Sequence, residues 1–335
     1  MDFIAPNLSL PQAQLLARLA AERAHLLLQF EGEDETALTH EPILDQWTAA
    51  TLLAHLALED ARAADELFRS ADGRGPDIRS DAAEAAPEAH HAVQHTQFAH
   101  LTFAEAVALL QKERRGFLMA LGGCSDTILD QPPPHDWATR PYRHDAGHAA
   151  EIVRWRAARP PTDPSLRVIH RALLRPVLAL AQQEFVALAA LVPADERESR
   201  PLEGEWSLKQ IIGHMVDYER LGVIALKAVA VGREPVYEMP IPDFDAFNNS
   251  HATAWVKMTG NEVGVNYRAT RRALLLLAEV LSDEALARPF AAPWLETTTA
   301  CGFLLDMAQH QREHADTLRR AFNLPPLPRH LGREA

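Results

Sequence analysis

The sequence contains one pattern of residues twice, in two segments about 160 residues apart. QWTAATLLAHLALED aligns with EWSLKQIIGHMVDYE, so that Trp47 matches Trp206 and His55 matches His214. Three further segments match in the same order: TFAEAV with TGNEVG, ERRGFLMAL with TRRALLLLA, and HDAGH with HQREH. A repeat of this length and order predicts that the chain folds as two copies of one structural unit.

Apolar residues recur with the period of an α-helix through nearly the whole chain. Leu and Ala dominate segments such as LARLAAERAHLLLQF and AEAVALLQKERRGFLMAL, at spacings of three and four. A Thr three residues before a Glu marks the start of the same helix in each copy, at 102–105 and 259–262. The proline-rich segment RPPTDP divides the chain near its middle. We therefore predict an all-α protein with tandem four-helix bundles in residues 1–160 and 165–325.

Composition restricts the possible partners. The 335 residues include 46 acidic and 33 basic side chains, a net charge of −13, which repels nucleic acid and anionic membranes. The N-terminal segment does not resemble a signal peptide, and the apolar stretches are short for a membrane span. Cys124 and Cys301 have neither the spacing of metal ligands nor that of a disulfide framework. We expect a cytoplasmic protein that acts on small molecules.

Histidines are the chemically distinctive residues of the repeat. Each copy has one histidine on its second predicted helix and an HxxxH pair on its last, namely His55, His144 and His148 in the first copy and His214, His310 and His314 in the second. Residues four apart lie on one face of a helix, so the pair can bind one metal ion together. A third imidazole completes a three-histidine site with open positions. Zinc, nickel, iron and copper all suit imidazole, and we predict these six residues as metal ligands.

Other interpretations of the histidines stay open at this level. A lone HxxxH is often exposed to solvent, and a single histidine such as His55 is often a hydrogen-bonded core residue. EAHHAVQHTQFAH in the first copy contains a competing helical pair, His91 and His95, with His90 and His100 nearby. We interpret that segment as mostly solvated, since no matching histidine is evident in the second copy. One copy could also keep its histidines after losing its metal.

A tryptophan followed eight residues later by a histidine, with a distant HxxxH closing the four-helix unit, resembles the DinB-like (DinB/YfiT-type) superfamily. The resemblance extends over nearly the whole chain as two tandem copies. It implies antiparallel four-helix bundles with a long crossover, each with a divalent metal on three histidines. Members of the family often dimerise, so a tandem chain is expected to form an intramolecular pseudo-dimer. Some members use mycothiol, bacillithiol or glutathione, so the resemblance implies a low-molecular-weight thiol as a cosubstrate.

The residues around the predicted sites differ between the copies. Glu59, one helical turn after His55, and Tyr218, at the matching position, are the candidates for a catalytic or metal-supporting group. Asp60 and Glu219 follow them and point away from the histidine face, so we predict salt-bridged acids on the surface. The tryptophan of each copy is predicted to begin the second helix and to pack on the core.

Two further groups of residues have alternative interpretations. Arg140 and Arg143 precede HDAGH and could bind a substrate carboxylate, although exposed arginines are common on helical bundles. Asn248, Asn249 and His251 either line the mouth of a pocket or belong to a turn-rich loop.

The histidine pattern predicts a divalent-metal-dependent enzyme of the hydrolase or thiol S-transferase type. A metal ion on three histidines lowers the pKa of a bound water or thiol and so produces a nucleophile. The sequence does not identify a general base. The alternative from another class is a non-catalytic metal- or ligand-binding stress-response protein, and a purely structural bundle without metal is a third hypothesis.

Overall fold

The computed structural model describes Ile4 and residues 8–74, 87–159, 167–237 and 244–328. These residues form helices and three short two-stranded hairpins, which confirms the predicted all-α class. The chain divides into two compact units. The N-terminal unit is His25–Pro161, and the C-terminal unit is Thr162–Ala335 together with Met1–Ala24. The predicted boundary between residues 160 and 165 lies outside the described residues, and the pseudo-dimer stays a prediction.

One long amphipathic helix organises the N-terminal unit. Its elements in chain order are the end of α1 (Leu10–Leu28), α2 (Glu35–His40), β1 (Pro42–Leu44), β2 (Trp47–Thr48), α3 (Ala49–Ala71), α4 (Pro87–Phe98), α5 (Phe103–Gly122), α6 (Asp126–Leu129) and α7 (Pro132–Ala157). Helix α3 packs against both α5 and α7 and buries its apolar face, which includes Leu52, Leu56 and Leu67. The contact with α7 brings His55 on α3 towards the HDAGH segment.

Four long helices form the C-terminal unit. Its elements after α1 are α8 (Arg171–Ala189), β3 (Pro201–Glu203), β4 (Trp206–Ser207), α9 (Leu208–Ala230), α10 (Phe244–Val256), α11 (Gly260–Val280), α12 (Asp283–Ala287), β5 (Pro289–Ala292), β6 (Leu295–Thr299) and α13 (Ala300–Ala321). Helices α8 and α9 each pack on both α11 and α13, which closes a four-helix bundle. Ile4 and Ala17 belong to the same core as Phe185, Ile211 and Tyr267, so the start of the chain contributes to this unit.

Helix α8 contains a long apolar segment. Among the described helices it alone has the length and composition to cross a membrane, and 67% of the apolar segment is buried inside the protein. Leu173, Val177 and Phe185 are fully enclosed. This burial is what a core helix of a bundle requires, because its apolar surface is removed from water by the neighbouring helices.

The same hairpin precedes the second long helix in both units. β1 pairs with β2, and β3 pairs with β4, across a turn whose central residue has a positive φ: 51° at Asp45 and 55° at Gly204. Glycine and short polar residues tolerate that conformation best. Trp47 and Trp206 therefore lie in a strand just before the helix, and the prediction that they begin the helix is wrong. A third hairpin, β5–β6, precedes α13, where the alignment of the copies shifts by nine residues.

The two predicted capping boxes are confirmed at the starts of α5 and α11. The Thr102 hydroxyl accepts from the Glu105 N–H at 3.3 Å, and the Glu105 carboxylate accepts from the Thr102 N–H at 2.9 Å. Thr259 and Glu262 form the same pair of bonds at 3.3 and 2.7 Å. The hydrogen bonds from threonine lower the pKa of both carboxyl groups. Both acids are therefore ionised at a helix N-terminus, where negative charge is stabilising.

Candidate metal centres

Two helices bring the three predicted ligands of the N-terminal unit together. His55 lies on α3, and His144 and His148 lie one turn apart on α7. The Nε2 atom of His144 is 3.1 Å from Nε2 of His55 and 3.0 Å from Nε2 of His148. The ring of Trp47 packs edge-on against His55, with centroids 5.1 Å apart. Three imidazole nitrogens thus converge beside a hydrophobic wall.

The C-terminal unit repeats this geometry. His214 lies on α9, and His310 and His314 lie on α13. Nε2 of His310 is 2.9 Å from Nε2 of His214 and 3.1 Å from Nε2 of His314. Trp206 packs against His214 at 5.1 Å between centroids. The matched tryptophans therefore make the same contact in both units, since each packs against the ligand histidine of the helix that follows its hairpin.

A carboxylate orients one imidazole in each triad. Glu151 Oε2 lies 2.6 Å from Nδ1 of His148, and Glu203 Oε2 lies 2.9 Å from Nδ1 of His314. An ionised carboxylate only accepts hydrogen bonds, so Nδ1 carries the hydrogen and Nε2 directs its lone pair into the triad. Burial favours a higher pKa for Glu203, but its hydrogen bond with His314 and its interactions with His314, His214 and Arg320 outweigh burial and lower that pKa.

The other ring nitrogens and the burial of the rings also favour metal ligation. Nδ1 of His55 lies 2.7 Å from Oε1 of the buried Gln94, which gives this ring the same orientation. Burial, reinforced by the neighbouring histidines, lowers the pKa of His214 to about 3 and that of His310 well below its usual value. Both rings are therefore neutral at physiological pH, and the neutral imidazole is the form that binds metal.

Both triads fit a transition-metal ion. In each one the ligand atoms all lie within 4.8 Å of one another. Two imidazole nitrogens bound to one zinc ion at ~2.0–2.1 Å are themselves separated by roughly 3 Å, close to the separations of 2.9–3.1 Å between neighbouring Nε2 atoms. Three nitrogen donors suit zinc, nickel or iron and leave coordination positions for water or substrate.

Glu59 is engaged in an ion-pair network beside the N-terminal triad. The side chain is 5% exposed, and its Oε2 accepts from Nε of Arg140 at 3.1 Å. Its Oε1 is 3.9 Å from Arg62. Both guanidinium groups lie over the ring of Trp137, 5.3 and 4.9 Å from its centre. The negative charge of Glu59 is therefore balanced by two cations.

Tyr218 occupies the matching position in the C-terminal unit but contacts the triad itself. Its ring centroid is 4.7 Å from that of His214 and 5.0 Å from that of His310. The hydroxyl donates to Oδ1 of Asn248 at 3.1 Å, and the ring of Trp294 lies 5.2 Å away. Burial raises the pKa of Tyr218. A neutral phenol, which can donate a hydrogen bond, therefore lies next to two predicted ligands.

Asp60 and Glu219 form ion pairs as predicted, but their predicted position on the surface is wrong. They are 1% and 3% exposed. Asp60 Oδ2 lies 3.0 Å from Nε of Arg114, which also bonds Asp145 at 2.8 Å, and Glu219 lies 2.7 Å from Arg271. The helix face opposite the histidines packs on α5 or α11 instead of facing water. The matched arginines of ERR and TRR reach these acids from the neighbouring helix.

The remaining predicted residues lie outside the triads. His95 packs on an aromatic ring and His100 is exposed, while the side chains of His90 and His91 lie outside the described residues. Arg143 forms an exposed ion pair. The competing histidine pair is therefore described only in part, and the described members of that segment belong to neither triad.

Several residues of the sites were not predicted from the sequence. The contact of Glu151 could have been predicted, because Glu151 follows His148 by three residues and so lies on the same helix face. Glu203 precedes His314 by 111 residues and Trp294 lies on a hairpin turn, so neither had a local signal. Their positions depend on how β3 and the β5–β6 turn pack against α9 and α13.

The fold and these sites define a class: an all-α protein with two candidate three-histidine metal centres. Residues 178–318, fewer than half of the chain, match the family model of the DinB superfamily. The matched segment runs from α8 into α13 and contains the whole C-terminal triad. Comparison with curated proteins and with solved structures gave no match. The similarity to the DinB superfamily is thus supported for the C-terminal unit.

Proposed function

We propose that this protein is a divalent-metal-dependent enzyme built from two tandem DinB-like units, with its reaction at the C-terminal triad. The reaction is hydrolysis of a small molecule or transfer of a low-molecular-weight thiol. The observation that carries the proposal is the neutral phenol of Tyr218 beside His214 and His310. At the matching position of the N-terminal unit, Glu59 is bound to Arg140 instead.

The tandem organisation is supported by features that recur at matched positions. Each unit has a Trp-containing hairpin with a positive φ at its turn, a second helix with one ligand, and a last helix with the HxxxH pair. Each also has a buried Arg–carboxylate pair behind the ligand helix. These features have different physical roles, so a single local constraint does not account for their shared order.

The proposed reaction depends on the three histidine nitrogens and on the hydroxyl of Tyr218. His214, His310 and His314 supply three nitrogen donors; the first two rings are neutral, and Glu203 orients the third. A divalent ion bound there lowers the pKa of a water or thiol ligand towards neutrality. Tyr218 can turn its O–H from Asn248 to a substrate oxygen on which negative charge develops. The ring of Trp294 packs against the ring of Tyr218 and shields it from bulk water.

A second candidate function is non-catalytic binding of metal or a small ligand. The N-terminal triad favours it, because the Glu59 carboxylate is held by Arg140 and Arg62 and is not directed at a substrate. If neither triad is catalytic, metal binding raises the free energy of unfolding of the protein, but no substrate is turned over.

The first experiment is elemental analysis of the untagged full chain and of the His148→Ala and His314→Ala variants. We expect two divalent ions in the parent and one in each variant. An ion lost only with His314→Ala would identify a single working site. Absence of metal in every sample, even after incubation with zinc or nickel, would overturn the proposed enzyme.

The second experiment tests Tyr218 in a screen for ester hydrolysis and thiol transfer. Tyr218→Phe removes only the hydroxyl, so metal content should stay unchanged while kcat falls by about 100- to 1,000-fold, the usual range for one lost donor to a developing oxyanion. Tyr237→Phe, in the same unit but away from the triad contacts, is the matched control. A metal-loaded parent without turnover in either screen would support the non-catalytic function.

A further inference from the structure

A histidine and an aspartate outside the triad form a close pair in the C-terminal unit. His251 lies on α10, and its Nδ1 is 3.1 Å from Oδ2 of Asp217 on α9. Asp217 is 7% exposed, whereas the His251 side chain is 37% exposed. The carboxylate is thus enclosed while the imidazole is partly exposed to solvent. Since Asp217 binds Nδ1, the hydrogen is placed there and Nε2 presents a lone pair.

Packing of Trp255 fixes the orientation of this aspartate. The indole Nε1–H donates to Oδ2 of Asp217 at 2.6 Å, and Trp255 is 3% exposed. The ring can lie against α9 only because residue 213 is glycine: a Cβ there would be 2.3 Å from the indole. Trp255 and His251 are four residues apart on α10 and so share one helix face. One carboxylate oxygen is therefore held between both side chains.

The pair is connected to the metal centre through packed side chains. The His251 ring stacks on Phe247 with centroids 4.1 Å apart, and Phe247 contacts Tyr218 at 6.1 Å. Asn248, from the same turn of α10, accepts the hydrogen bond from the Tyr218 hydroxyl. Tyr218 in turn packs on His214. A continuous set of contacts thus joins His251 to the triad without making it a ligand.

We propose that His251, held by Asp217, is the proton-accepting group of the C-terminal site. This inference rests on the proposed function and supplies the general base that the sequence did not identify. Nε2 of His251 takes the proton of an attacking water or thiol. The O–H or S–H bond breaks, its electron pair stays on oxygen or sulfur for attack on the substrate, and an N–H bond forms. Asp217 stabilises the resulting imidazolium, which then returns the proton to the leaving group.

The described residues at the matching positions of the N-terminal unit do not form this pair. At the matching positions it has Leu58 in place of Asp217 and Gln94 in place of His251. Gln94 bonds a predicted ligand, His55, and a glutamine side chain does not accept a proton at neutral pH. The base is therefore specific to the unit in which Tyr218 contacts the triad, and the two units are predicted to differ in function.

The test combines a structural readout with a kinetic one. In the full chain with ¹⁵N-labelled histidine, we expect NMR to show His251 in the Nδ1-protonated form, and Asp217→Asn to abolish that preference. In the zinc-loaded full chain, with 4-nitrophenyl acetate as the probe, His251→Gln should lower kcat by about 100-fold. Asp217→Asn should lower it by about 10-fold or more, with KM little changed. Metal content should stay at the parental level in both variants.

His100→Gln, which changes an exposed histidine of the N-terminal unit, is the matched control. An Nε2-protonated His251, or a tautomer unaffected by Asp217→Asn, would overturn the inference whether or not the protein is active. A His251→Gln variant with more than half of the parental kcat would also overturn it. A metal-loaded parent that neither hydrolyses an ester nor transfers a thiol, but shows the Asp217-dependent tautomer, would confirm the His251–Asp217 pair and overturn the proposed enzyme together with the catalytic role of His251.

Discussion

At the scale of single residues, each triad depends on what its ligands bind through their second ring nitrogen. Both triads place a carboxylate on Nδ1 of the last histidine, but the acids come from different positions: Glu151 from the ligand helix and Glu203 from β3. The same requirement has thus been met by two unrelated residues. This pattern is expected if the acid orients a metal ligand, because the function needs the carboxylate and not a particular element.

Replacing Glu203 by Gln is expected to weaken zinc binding at the C-terminal triad by about 10- to 100-fold. The amide no longer holds Nδ1–H as strongly, so His314 loses basicity and a fixed orientation. A chelator competition titration in the His148→Ala background measures this site alone. Glu205→Gln, two residues away on the same hairpin, should leave the affinity unchanged. An unchanged affinity in Glu203→Gln would contradict this role.

Acidification is expected to destabilise the metal-free C-terminal unit. The pKa of His214 is about 3 in the folded protein against an ordinary 6.5, so between these values the unfolded state binds more protons. The free energy of unfolding therefore falls as pH drops below about 6.5, by up to roughly 1.4 kcal/mol per pH unit for each such histidine. Urea unfolding at pH 7.5 and 5.0 measures the change. His214→Gln should have a flatter pH dependence, and an equally steep one would show that protonation of His214 does not cause the loss of stability.

At the scale of secondary-structure elements, buried arginines connect the helices behind each triad. Arg114 of α5 binds Asp60 of α3 and Asp145 of α7, while Arg271 of α11 binds Glu219 of α9. These contacts hold the ligand-bearing helix against its neighbours. The alignment of the two copies identified the arginines, but helix periodicity alone placed their partners on the surface. Burial depends on which helix packs against that face, and this is a tertiary property.

Replacing Arg114 by Leu is expected to lower the free energy of unfolding of the N-terminal unit by about 3–5 kcal/mol. The loss arises because two buried carboxylates lose their contacts with the Arg114 guanidinium. Arg115→Leu, at the adjacent exposed position, should change stability by less than about 0.5 kcal/mol. Urea titrations of both variants test the difference. Similar effects of the two substitutions would show that the buried ion pairs do not stabilise the packing of α3, α5 and α7.

At the scale of the whole molecule, the chain has two compact units with separate triads. Metal binding to a folded unit stabilises it by mass action, about 2.7 kcal/mol at a free metal concentration 100 times Kd. Each unit should therefore have its own metal-dependent stability.

Chelation is expected to lower the Tm of both units in the parent protein. In His148→Ala only the C-terminal unit should respond to zinc, and in His314→Ala only the N-terminal unit should respond. Differential scanning calorimetry with and without zinc measures these responses, and proteolysis followed by mass spectrometry assigns each transition to a unit. A zinc response that survives in the unit whose histidine was removed would show that the metal binds elsewhere.

The sequence by itself determined the all-α class, the capping boxes and the six histidines that meet in two triads. These features depend on residues close together along the chain or on a repeat visible by alignment. Tertiary packing decided the burial of Asp60 and Glu219, the acid on His314, and the contact of Asp217 with His251. The physical reason is that helix periodicity specifies which face a side chain occupies, whereas its partner there is contributed by a distant segment and depends on how the helices pack.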